Sequence, residues 1–496
     1  MFKIPWIRTL QTRSMHLLKD KAYINGQWLG AQSGKVFQVT NPATGEVIGT
    51  APDMDTSDTQ RAIEGAHAAF QTWQDTTAKD RSHYLRKWYD LMAQNHEDLA
   101  KIITLEAGKP LVEARGEVAY GNSFIEFFSE EARRIHGEII PSPIPTKKIL
   151  VERQPIGVAG LIAPWNFPHA MITRKAGAAL ASGCTCVIKP AEDTPFTALA
   201  LMELAHQAGI PSGVVNVVTS SRENAPAIGN LLCESPLVAG ISFTGSTQVG
   251  KLLYRQCSSG VKRLGLELGG NAPFIVFNSA NVGHAVKGAM ASKFRNCGQT
   301  CVSSNRFLVQ GKVYDSFVGS LVKEIKSLKI GNGQECGVNV GPLINQAQFG
   351  KVSDLVEDAV SKGAKVLTGG KAARQFGELF YEPTVLTDIK ENMRVYTEEV
   401  FGPIVTIFRF ETEEEGLQIA NSTERGLAGY FYSEDVSQIF RVARKLEVGM
   451  CGVNEGIIST AEAPFGGIKE SGLGREGSHH GIDDFTYIKY ICVGNL

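Results

Sequence analysis

Between residues 150 and 453 the chain repeats one unit, in which a short apolar run typical of a β-strand precedes a segment typical of an α-helix. Successive parallel strands need a crossover connection, so this alternation predicts a parallel sheet with helices on both faces. The first strands are predicted at residues 158–163, 186–188, 214–218, 240–243 and 263–267. We therefore predict an α/β fold with a doubly wound sheet, in which ligands bind at the carboxyl ends of the strands.

A second block of the same alternation follows Gly269-Gly270, with strands predicted at residues 274–277 and 307–310. A chain of 496 residues has the length of roughly two to three domains. We therefore assign this block to a second α/β domain. Ahead of both blocks, residues 23–50 carry the turn signals of short strands, and residues 55–135 show helical periodicity.

Charge and composition exclude several classes of function. The formal charge is −1 with 20% charged residues, so the sequence predicts no basic surface for nucleic acid. No apolar run reaches the roughly 18 residues of a membrane-spanning helix, so we predict no membrane span. The 9 cysteines include no Cys-x-x-Cys pair and no Cys/His spacing of a metal site. We predict reduced thiols and no metal.

The first residues differ in composition from the rest. Lys3, Arg8 and Arg13 precede the first acidic residue, Asp20, and apolar residues are interleaved with them. A basic, acid-free, partly amphipathic start is typical of a mitochondrial transit peptide, although a basic tail without a targeting role is the alternative. We expect residues 1–20 to form a transit or disordered segment. This predicts the mitochondrial matrix, with the cytoplasm as the alternative location.

One cysteine stands where a reactive group would be accessible. Cys301 ends the octapeptide Phe294-Arg295-Asn296-Cys297-Gly298-Gln299-Thr300-Cys301, between a helix predicted over residues 280–295 and a strand predicted over 306–310. Glycine and small polar residues at such a junction let the backbone approach a ligand. A thiolate attacks carbonyl carbon well, so Cys301 is a candidate nucleophile. The alternative is a small buried core residue, the commoner role of a free cysteine.

Two polar side chains that could take part in catalysis follow predicted strands. Asn166, in Pro164-Trp165-Asn166-Phe167-Pro168, could donate its amide to a developing oxyanion, or it could cap a helix. Glu267 precedes Leu268-Gly269-Gly270 and could act as a general base if it is partly desolvated. A paired structural carboxylate is the alternative for Glu267.

Other strand ends suit a nucleotide. Lys189 and Glu192, in Lys189-Pro190-Ala191-Glu192, could hold ribose hydroxyls, or they could be solvated loop charges. Gly245 and Ser246 lie at a strand–glycine–helix junction, where backbone N–H groups and the helix dipole suit a pyrophosphate. By contrast, Gly472-Leu473-Gly474-Arg475-Glu476-Gly477 matches a dinucleotide fingerprint only literally. It lacks the preceding strand and the following helix, so we interpret it as a turn-rich loop.

Together these motifs resemble the aldehyde dehydrogenase superfamily, in the same order and from residue 20 to the C-terminus. The motifs that carry the resemblance are Pro164-Trp165-Asn166-Phe167-Pro168, Lys189-Pro190-Ala191-Glu192, Phe243-Thr244-Gly245-Ser246, Glu267-Leu268-Gly269-Gly270, Gly298-Gln299-Thr300-Cys301, Glu399-Val400-Phe401-Gly402-Pro403 and Pro464-Phe465-Gly466-Gly467.

The resemblance implies an NAD-dependent enzyme. Cys301 would attack the aldehyde and pass through a thiohemiacetal and a thioester, Asn166 would stabilise the oxyanion, and Glu267 would activate water. The cofactor would be held by Pro164, Trp165, Lys189, Glu192, Gly245, Ser246, Glu399 and Phe401. Because an acid at position 192 accepts two ribose hydroxyls and repels a 2′-phosphate, we expect NAD to be preferred over NADP.

A narrower resemblance concerns the substrate. Arg174, Arg295 and Ser459 are similar to the substrate set of succinate-semialdehyde dehydrogenases, which act in GABA degradation. Two guanidinium groups and a hydroxyl could bind the distal carboxylate of succinic semialdehyde. Another carboxylated aldehyde, such as glutaric semialdehyde, is an alternative substrate. An inactive, nucleotide-binding structural relative is a second alternative, but it would have no use for Cys301, Glu267 and Asn166 together.

The resemblance also implies an organisation into domains. We expect an NAD-binding domain of residues 21–138 and 157–267, a catalytic domain of residues 268–470, and a β oligomerisation arm of residues 139–156 and 471–496, giving a homotetramer. Animal members of the family look to carry a second cysteine two residues after the nucleophile, which forms a redox-switch disulfide. In this chain that position is Ser303. We expect either no redox switch or a disulfide between Cys297 and Cys301.

Overall fold

The computed structural model describes residues 17–495. The predicted transit segment therefore lies almost wholly outside the described residues. The α-helices are α1 Thr56–Trp73, α2 Ala78–Gln94, α3 His96–Ala107, α4 Leu111–Glu131, α5 Ala170–Ser182, α6 Pro195–Gln207, α7 Ala225–Glu234, α8 Thr247–Cys257, α9 Val282–Phe294, α10 Tyr314–Lys326, α11 Gln346–Ser361, α12 Arg394–Thr397, α13 Glu413–Asn421 and α14 Val436–Lys445.

The strands are β1 Ala22–Ile24, β2 Gln27–Leu29, β3 Val36–Thr40, β4 Val47–Pro52, β5 Glu138–Ile140, β6 Lys147–Pro155, β7 Val158–Ile162, β8 Thr185–Lys189, β9 Val215–Val217, β10 Val238–Thr244, β11 Arg263–Glu267, β12 Ala272–Val276, β13 Ser304–Gln310, β14 Lys365–Thr368, β15 Thr384–Thr387, β16 Ile404–Phe410, β17 Arg425–Gly426, β18 Ala428–Tyr432, β19 Met450–Val453, β20 Ile468–Lys469, β21 Gly472–Leu473 and β22 Thr486–Gly494.

The first sheet has eight strands in the order β2-β1-β9-β8-β7-β10-β11-β21. Its five central strands, from β9 to β11, are parallel. Strand β8 is buried throughout, as expected for an apolar run covered by helices on both faces. Strands β8, β7, β10 and β11 are neighbours, so the loops after their carboxyl ends meet at one edge of the sheet.

The second sheet has seven strands in the order β14-β15-β16-β13-β12-β18-β19. All its pairings are parallel except that of β14 with β15. Strand β12 is buried along its whole length. The predicted α/β fold with a parallel, doubly wound sheet is therefore confirmed, and the parallel pattern extends to the second block. The domain boundaries given above stay a prediction.

A separate three-stranded sheet forms the predicted arm, with the order β22-β6-β5. Strands β6 and β22 pair antiparallel without interruption from Pro155 with Thr486 to Lys147 with Gly494. Large apolar side chains on this sheet are exposed to solvent, among them Ile139, Ile488 and Tyr490. The two segments assigned to the arm therefore pair with each other, and exposed apolar residues on a sheet with a free edge favour association with another subunit.

The literal dinucleotide fingerprint at Gly472 to Gly477 does not form a strand–turn–helix unit. Gly472–Leu473 is a two-residue edge strand antiparallel to β11, and a 3-10 segment, His479–Phe485, follows it. The Arg475 guanidinium donates to the carbonyl oxygens of Gly467 and Gly474. The interpretation of this stretch as a turn-rich loop is confirmed.

Candidate active site

A cleft of about 470 Å³ lies between the two large sheets. Its floor combines the carboxyl edge of the first sheet with the amino edge of the second, because Cys301 precedes β13 and Phe401 precedes β16. The predicted residues that line this cleft are Pro164, Trp165, Asn166, Glu192, Gly245, Ser246, Cys301, Glu399 and Phe401. The folded chain thus brings together groups that are far apart in sequence.

Cys301 is half-buried in the cleft wall rather than enclosed in a core. Burial raises the pKa of its thiol to about 12, and the negative charges of Glu399 and Glu267 act in the same direction. The positive charges of Arg174 and Arg295 oppose that shift. The thiol is therefore protonated at neutral pH, and attack on a carbonyl requires a base to take its proton.

The turn before Cys301 has an unusual backbone. Asn296, Cys297 and Gly298 all adopt left-handed conformations, with φ of 53°, 56° and 74°. A side chain on Gly298 would lie 2.2 Å from the carbonyl oxygen of Gly402, so only glycine fits there. Left-handed non-glycine residues cost about 1–3 kcal/mol each, and such strain is concentrated at functional sites. The turn packs the Cys301 segment directly against the loop that carries Phe401.

Cys297 faces away from the cleft. It packs in a hydrophobic cluster with Val340, Leu343 and Phe349, whereas Cys301 packs against a different cluster around Phe465. Both thiols are free. Burial raises the pKa of Cys297 well above its usual range, which makes this thiol unreactive. This geometry favours the first of the two predicted alternatives, the absence of a Cys297–Cys301 switch.

Asn166 is buried in the loop between β7 and α5. Its side-chain amide donates to the Gln299 carbonyl oxygen at 3.2 Å, which ties it to the Cys301 turn. Helix α5 begins after His169 and receives no side-chain cap, so the alternative of a helix cap is wrong for Asn166. The Asn166 amide is thus fixed beside the cysteine, as an oxyanion donor requires.

Two residues that sequence analysis missed hold Asn166 in place. The Lys109 ammonium donates to the Asn166 carbonyl oxygen at 2.7 Å and forms a fully buried ion pair with Glu117. Glu117 accepts a hydrogen bond from the His169 backbone N–H at 2.9 Å, and Asn296 Nδ2 donates to the same Asn166 carbonyl at 2.9 Å. The loop is therefore fixed at Asn166 and at His169 by one buried network.

We expect Lys109→Met to reduce both stability and activity. It leaves the Glu117 carboxylate buried without its cationic partner, which costs about 3–5 kcal/mol, and it removes one of the two donors to the Asn166 carbonyl. The double variant Lys109→Met/Glu117→Gln should recover most of the free energy of unfolding, measured in urea. Its kcat should nevertheless stay about tenfold or more below wild type, because donors misplaced by even 1 Å lose catalytic effect. A double variant with wild-type kcat would show that Lys109 only neutralises Glu117.

Glu267 is buried at the end of β11, and neither carboxylate oxygen has a hydrogen-bond partner within the described part of the chain. Burial, followed by the negative charge of Glu476, raises its pKa well above the usual range, while Arg174 and Lys175 act against this shift. The alternative of a paired structural carboxylate is therefore wrong. Glu267 does not itself line the cleft, but its charge reaches Cys301.

Glu399 and Phe401 form the opposite wall. Glu399 accepts a hydrogen bond from the Gly270 backbone N–H at 3.0 Å and faces Arg425 at 3.7 Å. Burial raises the pKa of Glu399. The Phe401 ring meets the Trp165 ring edge-on at 5.5 Å between centroids. Paired aromatic rings beside an acid suit a flat heterocycle with an attached ribose.

The far end of the cleft carries the other predicted cofactor residues. Lys189 ends β8, is buried, and lies 3.8 Å from Glu192. Glu192 is partly exposed in the cleft. Ser246 caps α8 by accepting from the Val249 N–H, and Gly245 donates to the Glu267 carbonyl. A helix N-terminus with glycine in front of it fits a pyrophosphate, and an acid at a strand end fits ribose hydroxyls.

The two predicted substrate arginines have different surroundings. Arg174 is buried, forms an ion pair with Glu476, and stacks on the Phe465 ring at 4.2 Å. Arg295 is partly exposed, stacks on the Phe167 ring at 5.2 Å, and forms no ion pair within residues 17–495. Both charges reach Cys301. Ser459 is partly exposed after β19, and no hydrogen bond joins it to either arginine.

Sequence analysis also missed Lys175 and Glu476. The Glu476 carboxylate pairs with Arg174 and with Lys175, and Lys175 further donates to Ser242 at 3.1 Å. Glu476 stood inside the false fingerprint, so no local signal identified it. Glu117 could have been identified from the sequence, because it occupies the buried face of α4 with Ala114, Val118 and Gly121. A carboxylate at a core-facing helical position indicates a buried cationic partner.

Within residues 17–495 no group of His, Cys, Asp and Glu side chains has the arrangement of a metal site. Over the same range no helix combines the length and apolar character of a membrane span.

Residues 28–491 match the model of the aldehyde dehydrogenase family. The chain belongs to the aldehyde dehydrogenase family. Human mitochondrial succinate-semialdehyde dehydrogenase is 56% identical over 484 residues, which cover 97% of this chain and 90% of the relative. Glutarate-semialdehyde dehydrogenase of Pseudomonas putida is 55% identical over 484 residues, which cover 98% of this chain and 100% of the relative.

Several solved structures share the whole fold. Succinate-semialdehyde dehydrogenase from Burkholderia pseudomallei has a TM-score of 0.96 at 53% identity and covers 98% of this chain and 100% of its own. An E. coli NADP-dependent enzyme has a TM-score of 0.95 at 52% identity, covering 97% and 99%. Betaine aldehyde dehydrogenase from Staphylococcus aureus, in complex with NAD+, has a TM-score of 0.94 at 35% identity, covering 97% and 96%. The predicted family and fold are confirmed.

Proposed function

We propose that this aldehyde dehydrogenase oxidises succinic semialdehyde to succinate with NAD, as in GABA degradation. One observation carries the choice of substrate: Arg295 lies within electrostatic reach of the Cys301 thiol and forms no ion pair in residues 17–495. A free guanidinium beside the nucleophile of an otherwise almost neutral chain suits an aldehyde with a distal carboxylate. The names of the succinate- and glutarate-semialdehyde dehydrogenases that it resembles support the same class.

Cys301 supplies the nucleophile. As its sulfur attacks the aldehyde carbon, a base takes the thiol proton and the oxygen of the thiohemiacetal gains negative charge. The Asn166 side-chain amide and the Cys301 backbone N–H donate to that oxygen. Loss of hydride leaves a thioester on Cys301, and Glu267 takes a proton from the water that releases the acid. The raised pKa of Glu267 makes it a stronger base than an exposed carboxylate once it has lost its own proton.

The cleft fits a nicotinamide dinucleotide. Trp165, Glu399 and Phe401 would hold the nicotinamide half, the N-terminus of α8 with Gly245 and Ser246 would face the pyrophosphate, and Lys189 with Glu192 would hold the adenosine ribose. When bound, NAD supplies the acceptor for the hydride that the aldehyde carbon gives up. Preference for NAD over NADP follows from Glu192, because a carboxylate beside a 2′-phosphate is repelled.

Glu192→Ser tests that preference. We expect the ratio of kcat/KM for NAD to kcat/KM for NADP to fall about tenfold or more, because the repulsion of the 2′-phosphate is removed and Lys189 becomes free to pair with it. The measurement is the initial rate with each cofactor at saturating aldehyde. Glu203→Gln, in which the altered carboxyl lies on α6 away from the cleft, is the matched control. An unchanged ratio in Glu192→Ser would contradict this role.

The substrate is tested by NADH production with succinic semialdehyde, glutaric semialdehyde, propanal and butanal. We expect kcat/KM to be highest for a carboxylated aldehyde and at least about tenfold lower for butanal, which has four carbons but no carboxylate. Equal kcat/KM for the alkyl aldehydes would contradict a carboxylate site. A higher value for glutaric than for succinic semialdehyde would favour the second candidate, supported by the similarity to glutarate-semialdehyde dehydrogenases.

Three further properties belong to the proposal. Residues 21–138 with 157–267 would bind the cofactor, residues 268–470 would form the catalytic domain, and the arm of residues 139–156 and 471–496 would join subunits into a homotetramer. Exposed Ile139 and Ile488 on the arm support the association. The basic start of the chain and the mitochondrial names of the mammalian relatives support a mitochondrial location.

A further inference from the structure

Tyr120 carries a polar group that the mechanism above does not use. Its hydroxyl is buried and faces the Arg174 guanidinium, which can only donate, so the hydroxyl hydrogen has no acceptor within the described residues. The charges of Arg174, Arg295 and Cys301 all act on it, so this hydroxyl lies near both substrate arginines and the nucleophile. Buried hydroxyl groups nearly always have a partner, and one without a partner at a binding site points to a ligand.

The packing of α4 against α5 accounts for this position. A side chain on Gly121 would lie 3.1 Å from the Ala170 Cα, so the turn of α4 that carries Tyr120 touches the first turn of α5. Arg174 is one turn further along α5. The Tyr120 ring meets Phe124 edge-on at 5.0 Å, and Phe124 lies against Gly477, next to Glu476, the partner of Arg174. The contact with Phe124 thus holds the apolar ring of Tyr120 in place.

A second donor without a partner stands nearby. The Arg174 guanidinium pairs with Glu476 on one side, and its Nη2 lies 3.3 Å from Met171 Sδ. The third nitrogen, Arg174 Nη1, makes no hydrogen bond within residues 17–495. Arg174 is only 1% exposed, so bulk water does not hydrogen-bond to this group. Its guanidinium stacks on Phe465, and Phe465 belongs to the cluster against which Cys301 packs. Both donors therefore lie near the residues that surround Cys301.

We propose that Tyr120 determines substrate specificity by donating its hydroxyl hydrogen to the distal carboxylate of the substrate, beside Arg174 Nη1 and Arg295. The inference rests on the proposed function, since it assigns a further ligand to the same carboxylate. An ionised carboxylate accepts about four hydrogen bonds, so three donors on two oxygens are readily accommodated. An aldehyde without the carboxylate would leave the buried donors unpaired, which is the strongest basis for rejecting it.

The protonation state of Tyr120 agrees with a donor role. Burial raises the pKa of Tyr120, and the two arginines oppose that shift. The phenol therefore keeps its proton throughout the neutral range, and the hydroxyl binds an anion without adding another charge to the site. A neutral donor next to two cations also avoids the cost of burying a third positive charge.

Tyr120→Phe tests the proposal, because it removes the hydroxyl and keeps the ring that contacts Phe124. We expect the ratio of kcat/KM for succinic semialdehyde to that for butanal to fall about 10- to 100-fold, the range for a hydrogen bond to a charged group. The loss should appear in KM rather than kcat, because the carboxylate is bound equally in ground and transition states. The inhibition constant of succinate should rise by the same factor. Tyr89→Phe, on α2 against α4, is the control and should keep the wild-type ratio.

The outcomes separate this proposal from the proposed function. A wild-type enzyme that does not prefer succinic semialdehyde to butanal would contradict the proposed function itself. The role of Tyr120 alone would be overturned if the wild-type enzyme has that preference but Tyr120→Phe does not change it. In that case neither the ratio of kcat/KM for the two aldehydes nor the inhibition constant of succinate would change. Equal losses for both aldehydes with succinate inhibition unchanged would also overturn it, since they indicate disturbed packing instead of a lost carboxylate contact.

Discussion

Cys301→Ala should abolish aldehyde oxidation, lowering kcat/KM about 10⁴-fold or more, as removal of a covalent nucleophile does in other enzymes. The thiol is half-buried in the cleft, within reach of the charges of Glu267, Glu399, Arg174 and Arg295. Since burial raises the pKa of this thiol to about 12, the thiol is protonated at pH 7. Alkylation of wild type by iodoacetamide should therefore accelerate as the pH rises from 7 to 10.

Steady-state NADH production and the pH dependence of alkylation measure this effect. Cys336→Ser is the matched control, because Cys336 is exposed on a loop outside the cleft, and it should retain wild-type rates. Mass spectrometry should quantify the label on Cys301 separately from the label on the exposed Cys336, Cys451 and Cys492, and only the Cys301 label should parallel the loss of activity. More than one-tenth of wild-type activity in Cys301→Ala would contradict covalent catalysis at this residue.

Glu267→Gln should lower kcat by about 10²- to 10⁴-fold, the contribution typical of a positioned general base. Glu267 has no hydrogen-bond partner in the described residues, and its pKa is raised well above the usual range. A carboxyl group with a raised pKa is protonated, and inactive as a base, below that pKa. Wild-type kcat should therefore increase as the pH rises through it, and the increase should be absent in Glu267→Gln.

Rapid mixing separates the two steps in which Glu267 could take a proton. If it acts only on water, Glu267→Gln should give a fast burst of NADH equal to the active sites and then a slow steady state. If it also takes the Cys301 proton, the burst itself should slow. Glu64→Gln alters an exposed carboxyl on α1 and serves as the control. A kcat for Glu267→Gln within about threefold of wild type, with an unchanged pH profile, would exclude a base role.

Cys301 and Glu267 depend on residues that neither touch the substrate nor carry the reaction. The buried Lys109–Glu117 pair fixes the Asn166 carbonyl, and Glu476 shares its carboxylate between Arg174 and Lys175 while acting on Glu267. Because buried charges interact strongly, removing one member of either group is expected to change the pKa of its neighbours as well as stability. The active site is therefore a set of coupled charges.

The sequence by itself determined the fold class and half of the cleft. Alternating strands and helices require parallel sheets, and parallel strands bring their carboxyl ends to one edge. This rule placed Asn166, Lys189 with Glu192, and Gly245 with Ser246 together, and the cleft contains Asn166, Glu192, Gly245 and Ser246. It failed for Cys301 and Phe401, which lie at the amino edge of the second sheet. Cys301 was identified from its own loop and thiol chemistry, and Phe401 only through motif resemblance.

Only the tertiary structure decided which charges are paired. Lys109 and Asn166 are 57 positions apart, and Lys175 and Glu476 are 301 apart, so neither contact has a local pattern. Nothing along the chain distinguishes Arg174 from Arg295, but packing gave Arg174 an ion-pair partner in Glu476 and gave Arg295 none within residues 17–495. Local sequence sets backbone preference, whereas burial, ion pairing and pKa depend on which distant segments exclude water from a side chain.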